Sequence, residues 1–131
     1  MQVTGVLVDK GRARMKVTIE QVAAICHEAN RAYVNATEGK DIQPWHLAPQ
    51  WQKDSAIDGV KYVSEHPDVT PEKMHERWME YRLSAGWVHG ETKDNEKKTH
   101  PCLVPYDQLP EVQKAKDYLF VAVVKAAMNY L

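Results

Sequence analysis

Apolar residues recur with a helical period in four stretches of the chain, separated by segments that break the period. The first stretch opens at Thr18, where Thr18-x-x-Gln21 forms a capping box and Val17 is placed to staple against Val22. Ile19, Val22, Ala23, Cys26, Ala29 and Tyr33 follow at helical spacing, and Gly39 is the natural stop. A loop carrying Pro44, Trp45 and Pro49 leads to a second predicted helix over 51–65, with Ile57, Val60 and Val63 inward. Thr70-Pro71-Glu72 is a strong third start: a hydroxyl N-cap, proline at the first helical position and an acid in the first turn. That helix is predicted to run to about residue 85, with Met74, Trp78, Tyr81 and Ala85 on one face and Gly86 as a left-handed terminator. Pro110 opens a fourth helix reaching about residue 130, with Val112, Ala115, Leu119, Val123 and Ala126 inward.

Residues 87–109 follow neither the helical nor the strand period, and they are far longer than the usual connection between helices. The pattern therefore predicts an all-α fold: a four-helix single domain with a long, ordered, irregular loop between the last two helices and little or no sheet. At 131 residues the chain fits one domain and can bury a core without a staple. Residues 1–14 have a different texture, with Val3, Gly5 and Leu7 alternating with Thr4 and Val6 before Lys10-Gly11-Arg12-Ala13-Arg14. They read as an N-terminal extension to a domain spanning 15–131.

A net charge of -1 argues against binding a nucleic acid polymer through bulk charge. No apolar run is long enough to span a membrane, since 118–124 is bounded by Lys116-Asp117 and Lys125. Cys26 and Cys102 read as free thiols in a cytoplasmic protein. His27-Glu28 and His75-Glu76 invite a zinc-protease reading, but that site needs a second histidine four residues after the first, and positions 31 and 79 are Arg and Met. No metal or cofactor is expected. No phosphate-binding glycine loop is present either, because Gly86 and Gly90 fit neither nucleotide fingerprint.

Chemistry concentrates in the aperiodic segment. Lys98 and His100 can donate to an anion, beside Lys97. Trp87 and Tyr106 can offer a face to a flat ring. Arg82 can add a guanidinium fork suited to phosphate or carboxylate. Asp94 can orient one of these cations or accept from a sugar hydroxyl. Such a loop must also satisfy its own backbone, and Asp94, Thr99 and His100 suit that role too, while Trp87, Tyr106 and Trp78 suit the role of packing pins. Helix one is similarly dense in polar groups at His27, Glu28, Asn30 and Arg31, which read as a solvated face or polar network that could complete a pocket.

The elements His75-Glu76-x-Trp78, Gly86-Trp87-x-x-Gly90 and Lys98-x-His100-Pro101-x-Leu103-Val104-Pro105-Tyr106 resemble the repeat domain of ryanodine receptors, which also occurs as stand-alone proteins in bacteria and phages. The likeness runs from about residue 67 to the C-terminus, with His89 standing where that family more often has an aromatic. The resemblance implies recognition of a nucleotide-like small molecule without turnover, as a sensor or sponge for a nucleotide-derived signal in a bacterium or phage-infected host. On matching positions, ring stacking falls to Trp87 and Trp78, and the cationic role to Lys97, Lys98 and His100. Paired repeats in the receptors imply a homodimer here. Two alternatives stand beside this reading: an interaction module with no small ligand, and a small hydrolase using His100 and Asp94 as an acid–base pair.

Overall fold

A computed structural model describes residues 16–130, and the extension expected at 1–14 lies outside them. The described residues form α1 (Ile19–Glu38), α2 (Gln50–Glu65), α3 (Pro71–Ser84) and α4 (Glu111–Ala127). The helices begin where local chemistry starts them. The Thr18 hydroxyl accepts from the Gln21 amide at 3.0 Å, and the Gln21 side chain accepts from the Thr18 amide at 2.9 Å. Thr70 caps α3 by accepting from the Lys73 amide at 3.2 Å, with Pro71 in the first turn. Between α3 and α4 lie two short strands, β1 (Val88–His89) and β2 (Thr99–His100), and a single 3-10 turn over Tyr106–Gln108. The domain is all-α apart from this small pair.

α1 and α3 each pack on both α2 and α4. The core joins Val22, Ala23 and Cys26 of α1 to Val60 and Val63 of α2, Met74 of α3, and Val121 and Val124 of α4. Among the described residues no helix is long and apolar enough to cross a membrane.

The inward faces of α3 and α4 differ from the expected ones. On α4, Val112 and Ala126 are exposed, and the buried positions are Val121 and Val124. This helix is apolar around much of its circumference, so periodicity leaves its rotation open and packing on α1 and α2 sets it. On α3, Ala85 is exposed, whereas two polar residues, His75 and Arg82, are buried beside Met74.

The rotation of α4 is testable by paired truncations. Val124→Ala should cost about 2 kcal/mol or more through lost burial and a cavity. Val112→Ala, on the exposed side, should stay within about 0.5 kcal/mol. Urea unfolding of both variants measures the contrast.

Candidate functional site

The site begins at the end of α3. Gly86 takes φ +92°, a conformation open to a residue without a Cβ. The Gly86 amide donates to the Leu83 carbonyl at 3.1 Å and the Trp87 amide to the Arg82 carbonyl at 3.0 Å. This is the paired 5→2 and 6→1 bonding of a Schellman terminus, which folds Trp87 back over the last turn of its own helix. Lys98 reaches back to the same terminus, its Nζ donating to the Ala85 carbonyl at 2.9 Å.

The segment after Trp87 is irregular but tied down throughout. β1 and β2 pair in parallel, with the Val88 amide donating to the Lys98 carbonyl at 2.9 Å. Asp94 and Thr99 exchange backbone hydrogen bonds at 3.0 and 3.1 Å, turning the chain back. Gly90 has no room for a side chain there: a Cβ would stand 2.6 Å from the Thr99 Cβ. His75 Nε2–H donates to the Val104 carbonyl at 2.8 Å, fastening the far end of the loop to α3. The Gly-Trp-x-x-Gly and His-Pro-x-Leu-Val spacings are thus the marks of a loop folded against a helix terminus.

Between α1 and α3 the structure holds a cleft of about 640 Å³, walled by all four helices and the loop. Met74, Phe120 and Val123 give it an apolar side. Cations and carboxylates line the rest, and most are paired. Arg77 forms a bidentate pair with Asp58 at 3.0 and 3.1 Å. Lys116 and Lys40 both reach Glu38, at 3.0 and 3.5 Å. Two cations have no carboxylate partner among the described residues: Arg82 and Lys93.

Arg82 is only 7% exposed and sits in a cage of three indoles. Its guanidinium carbon lies 4.7 Å from the ring centre of Trp87, 4.8 Å from Trp51 and 5.2 Å from Trp78. Nε and Nη1 are sealed from solvent without a hydrogen-bond partner. Desolvation lowers the Arg82 pKa to about 10, so the group remains charged at neutral pH. Lys93, solvent-exposed overall, lines the same cleft. Desolvation against the walls, then the nearby charges of Arg82, Lys116 and Lys40, hold its ammonium below the ordinary lysine range.

The residues singled out in the sequence divide. Arg82, Trp78 and His100 line the cleft. Trp87 does not: it is 3% exposed, and its ring is taken up by Arg82 and by Trp51 at 5.4 Å, so it is a packing wall with no free face for a ligand ring. Lys97 and Lys98 lie exposed outside the cleft, with the Lys98 ammonium spent on the α3 terminus. Asp94 accepts from the amides of Lys97 and Glu96 at 3.0 and 2.9 Å, and these bonds hold its carboxyl below the usual range. Tyr106 packs 5.9 Å from His75, away from the cleft. On α1, His27 and Arg31 donate to the Gln43 and Ile42 carbonyls at 2.7 and 2.8 Å, anchoring the connection to α2, while Asn30 faces the cleft.

His100 is not the cation the spacing invites. Its Nδ1 accepts the Cys102 amide at 3.0 Å, so the ring proton sits on Nε2. Burial, then the charges of Lys93, Arg82 and Lys116, push its pKa down to about 3. It is a neutral donor in the cleft wall. Sequence reasoning missed Lys93, Trp51 and Asp117. Lys93 sits in a run of charges that marks solvent as readily as a site, and Trp51 and Asp117 are joined to the loop only by folding.

Asp117 lies with Oδ2 3.7 Å from His75 Nδ1. Burial pushes its carboxyl up to about 7, against the pull of Lys116. The folded state therefore holds a proton that the unfolded chain releases near 3.8, and stability falls as pH rises from about 4 to 7. Asp117→Asn removes that loss. Its stability relative to wild type should climb through this window and level off above it, as read by urea midpoints at pH 4, 5.5 and 8. The depressed His100 works in the opposite sense but is common to both proteins, so it cancels in the difference. Gly86→Ala tests the terminus: it should destabilise by about 1–2 kcal/mol and shift tryptophan emission to the red as Trp87 loses its seat.

The family model described as RyR domain matches residues 49–128, which takes in α2, α3, the loop and all of α4. It covers more than half of the chain, including the His75, Trp78, Gly86-Trp87 and His100-Pro101 elements. α1 lies before the matched segment yet supplies Val22, Ala23 and Cys26 to the shared core. This chain belongs to the RyR domain family.

Proposed function

We propose that this RyR domain binds a small nucleotide-like anion in the cleft between α1 and α3 and releases it unchanged. The observation that carries the reading is the cleft itself. Its volume of about 640 Å³ falls in the size range of small-molecule sites, and it sets an apolar side against a cationic one. Met74, Phe120 and Val123 offer burial to a ring, and Trp78 is the indole that borders the cavity. Lys93 supplies uncompensated positive charge within reach of a ligand entering from solvent.

Recognition is favoured over turnover by the state of the expected acid–base pair. Asp94 is committed to two backbone amides and His100 Nδ1 to a third, and no hydrogen bond joins the two side chains. The thiols offer no substitute nucleophile: burial pushes Cys26 up to about 12 and raises Cys102 as well. The biological counterpart of such a module is a sensor or sponge for a nucleotide-derived signal.

A thermal-shift panel of mononucleotides, cyclic dinucleotides, nicotinamide dinucleotides and ADP-ribose species tests this directly. A ligand present at a hundred times its dissociation constant should stabilise the domain by about 2.7 kcal/mol. It should be recovered intact after long incubation. Steady product formation would place the domain among enzymes, and a flat panel would leave the cleft without a nucleotide ligand.

A further inference from the structure

We propose that the Arg82 guanidinium, held charged inside the cage of Trp51, Trp78 and Trp87, is the anchor for a phosphate-type oxyanion, with Lys93 as the second cation. This rests on the cleft being a ligand site and assigns the chemical class of the group that enters its deep end.

The argument starts from what Arg82 lacks. Buried arginines ordinarily pair with carboxylates, because a guanidinium withdrawn from water leaves up to five N–H donors to satisfy. Here the side chain makes no ion pair or hydrogen bond with any described residue. The three indoles surround the charge and stabilise it through their π-faces, but they hold no oxygen acceptor for its N–H groups. Nε and Nη1 are sealed, whereas Nη2, equally unpartnered, is not sealed from solvent, and Arg82 is one of the residues lining the cleft. Enclosure by the indoles leaves Nη2 as the part of the group available to a ligand.

The surroundings favour phosphate. Of the four carboxylates that share the cleft, Glu38 is held by Lys116 and Lys40, Asp58 by Arg77, and Asp117 lies against His75, and none of the four, Glu91 included, pairs with Arg82 or Lys93. Arg82 and Lys93 line the same cleft, and after desolvation the Arg82 charge is the largest influence holding the Lys93 ammonium below its ordinary range. His100 adds a neutral Nε2–H donor rather than a third charge. Two cations and a neutral donor suit a group that carries about two negative charges and several acceptor oxygens, better than a single carboxylate.

The test uses the full chain with inorganic pyrophosphate, against sodium chloride at matched ionic strength and malonate as the carboxylate comparison. Pyrophosphate should raise the melting temperature beyond the salt control, and malonate should do less. In 15N-labelled wild type the Arg82 Nε–H resonance should move with pyrophosphate, a readout independent of any variant. Arg82→Met should weaken pyrophosphate at least tenfold while raising the melting temperature of the ligand-free protein, because an unpaired buried charge is replaced by an apolar chain in an aromatic cage. Lys93→Ala should weaken binding severalfold and flatten its salt dependence without changing stability.

Pyrophosphate binding within twofold of wild type in Arg82→Met overturns the anchor, as does an unmoved Arg82 resonance at saturation or a stronger response to malonate. No response to any anion overturns it too. If nucleotides bind while Arg82 is silent, the anchor fails and the nucleotide reading survives. If pyrophosphate binds through Arg82 while the nucleotide panel is flat, the anchor stands and the nucleotide reading fails.

Discussion

At the end of α3 the chain reverses through Gly86, and the Trp87 amide bonds back to the Arg82 carbonyl. That hydrogen bond fixes where everything downstream lies. It lays the Trp87 ring over the Arg82 guanidinium on the turn just completed, which α2 closes with Trp51 and α3 with Trp78. It also sets the exit direction of β1, which then pairs with β2 and brings His100 to within 5.0 Å of Trp78. Lys98 completes the terminus from the other side of the loop, so helix end and loop stabilise each other.

The caged guanidinium sits near an energetic balance. A cation over a desolvated indole gains about 2 kcal/mol, so three rings return several kcal/mol at most. Withdrawing an ion from water costs several kcal/mol as well, and here no acceptor repays the lost hydrogen bonds. The cage can therefore keep Arg82 charged without satisfying it. An apolar residue would fill the same space at lower cost, so the arrangement trades stability for a charged N–H donor held in a fixed place. The raised carboxyl of Asp117, on the facing wall, is a second group kept away from its preferred state by the same enclosure.

The polar residues that stand out along the chain are not, for the most part, the ones the cleft uses. Asp94, Lys98 and His100 Nδ1 each meet a backbone group, because an irregular segment must find partners for amides and carbonyls that no helix or sheet ladder satisfies. Trp87 is similarly consumed by packing. Of the residues that the sequence singles out in and around the loop, Arg82, Trp78 and His100 reach the cavity. His100 reaches it as a neutral ring, since burial first, and then the positive charges around it, disfavour a further cation. Lys93 was hidden among the exposed charges at 91–98, where nothing local separates an ammonium facing solvent from one facing a cleft.

What the sequence by itself determined is whatever depends on neighbours along the chain. Thr18 and Thr70 start helices and Gly39 and Gly86 end them, because caps and left-handed turns are settled within four residues. The Gly86-Trp87 and His100-Pro101 elements, which lie within the matched family segment, are legible for the same reason: the first marks bonds back to the end of its helix, and the second marks bonds within the loop itself. The rotation of α4, with Val121 and Val124 inward in place of Val112 and Ala126, was decided only by tertiary structure, since a helix apolar on most sides has no preferred face until its neighbours arrive. So was the cage around Arg82, which draws its indoles from positions 51, 78 and 87. Burial of a charge without a partner is a property of the assembled walls, and no periodicity in the chain encodes it.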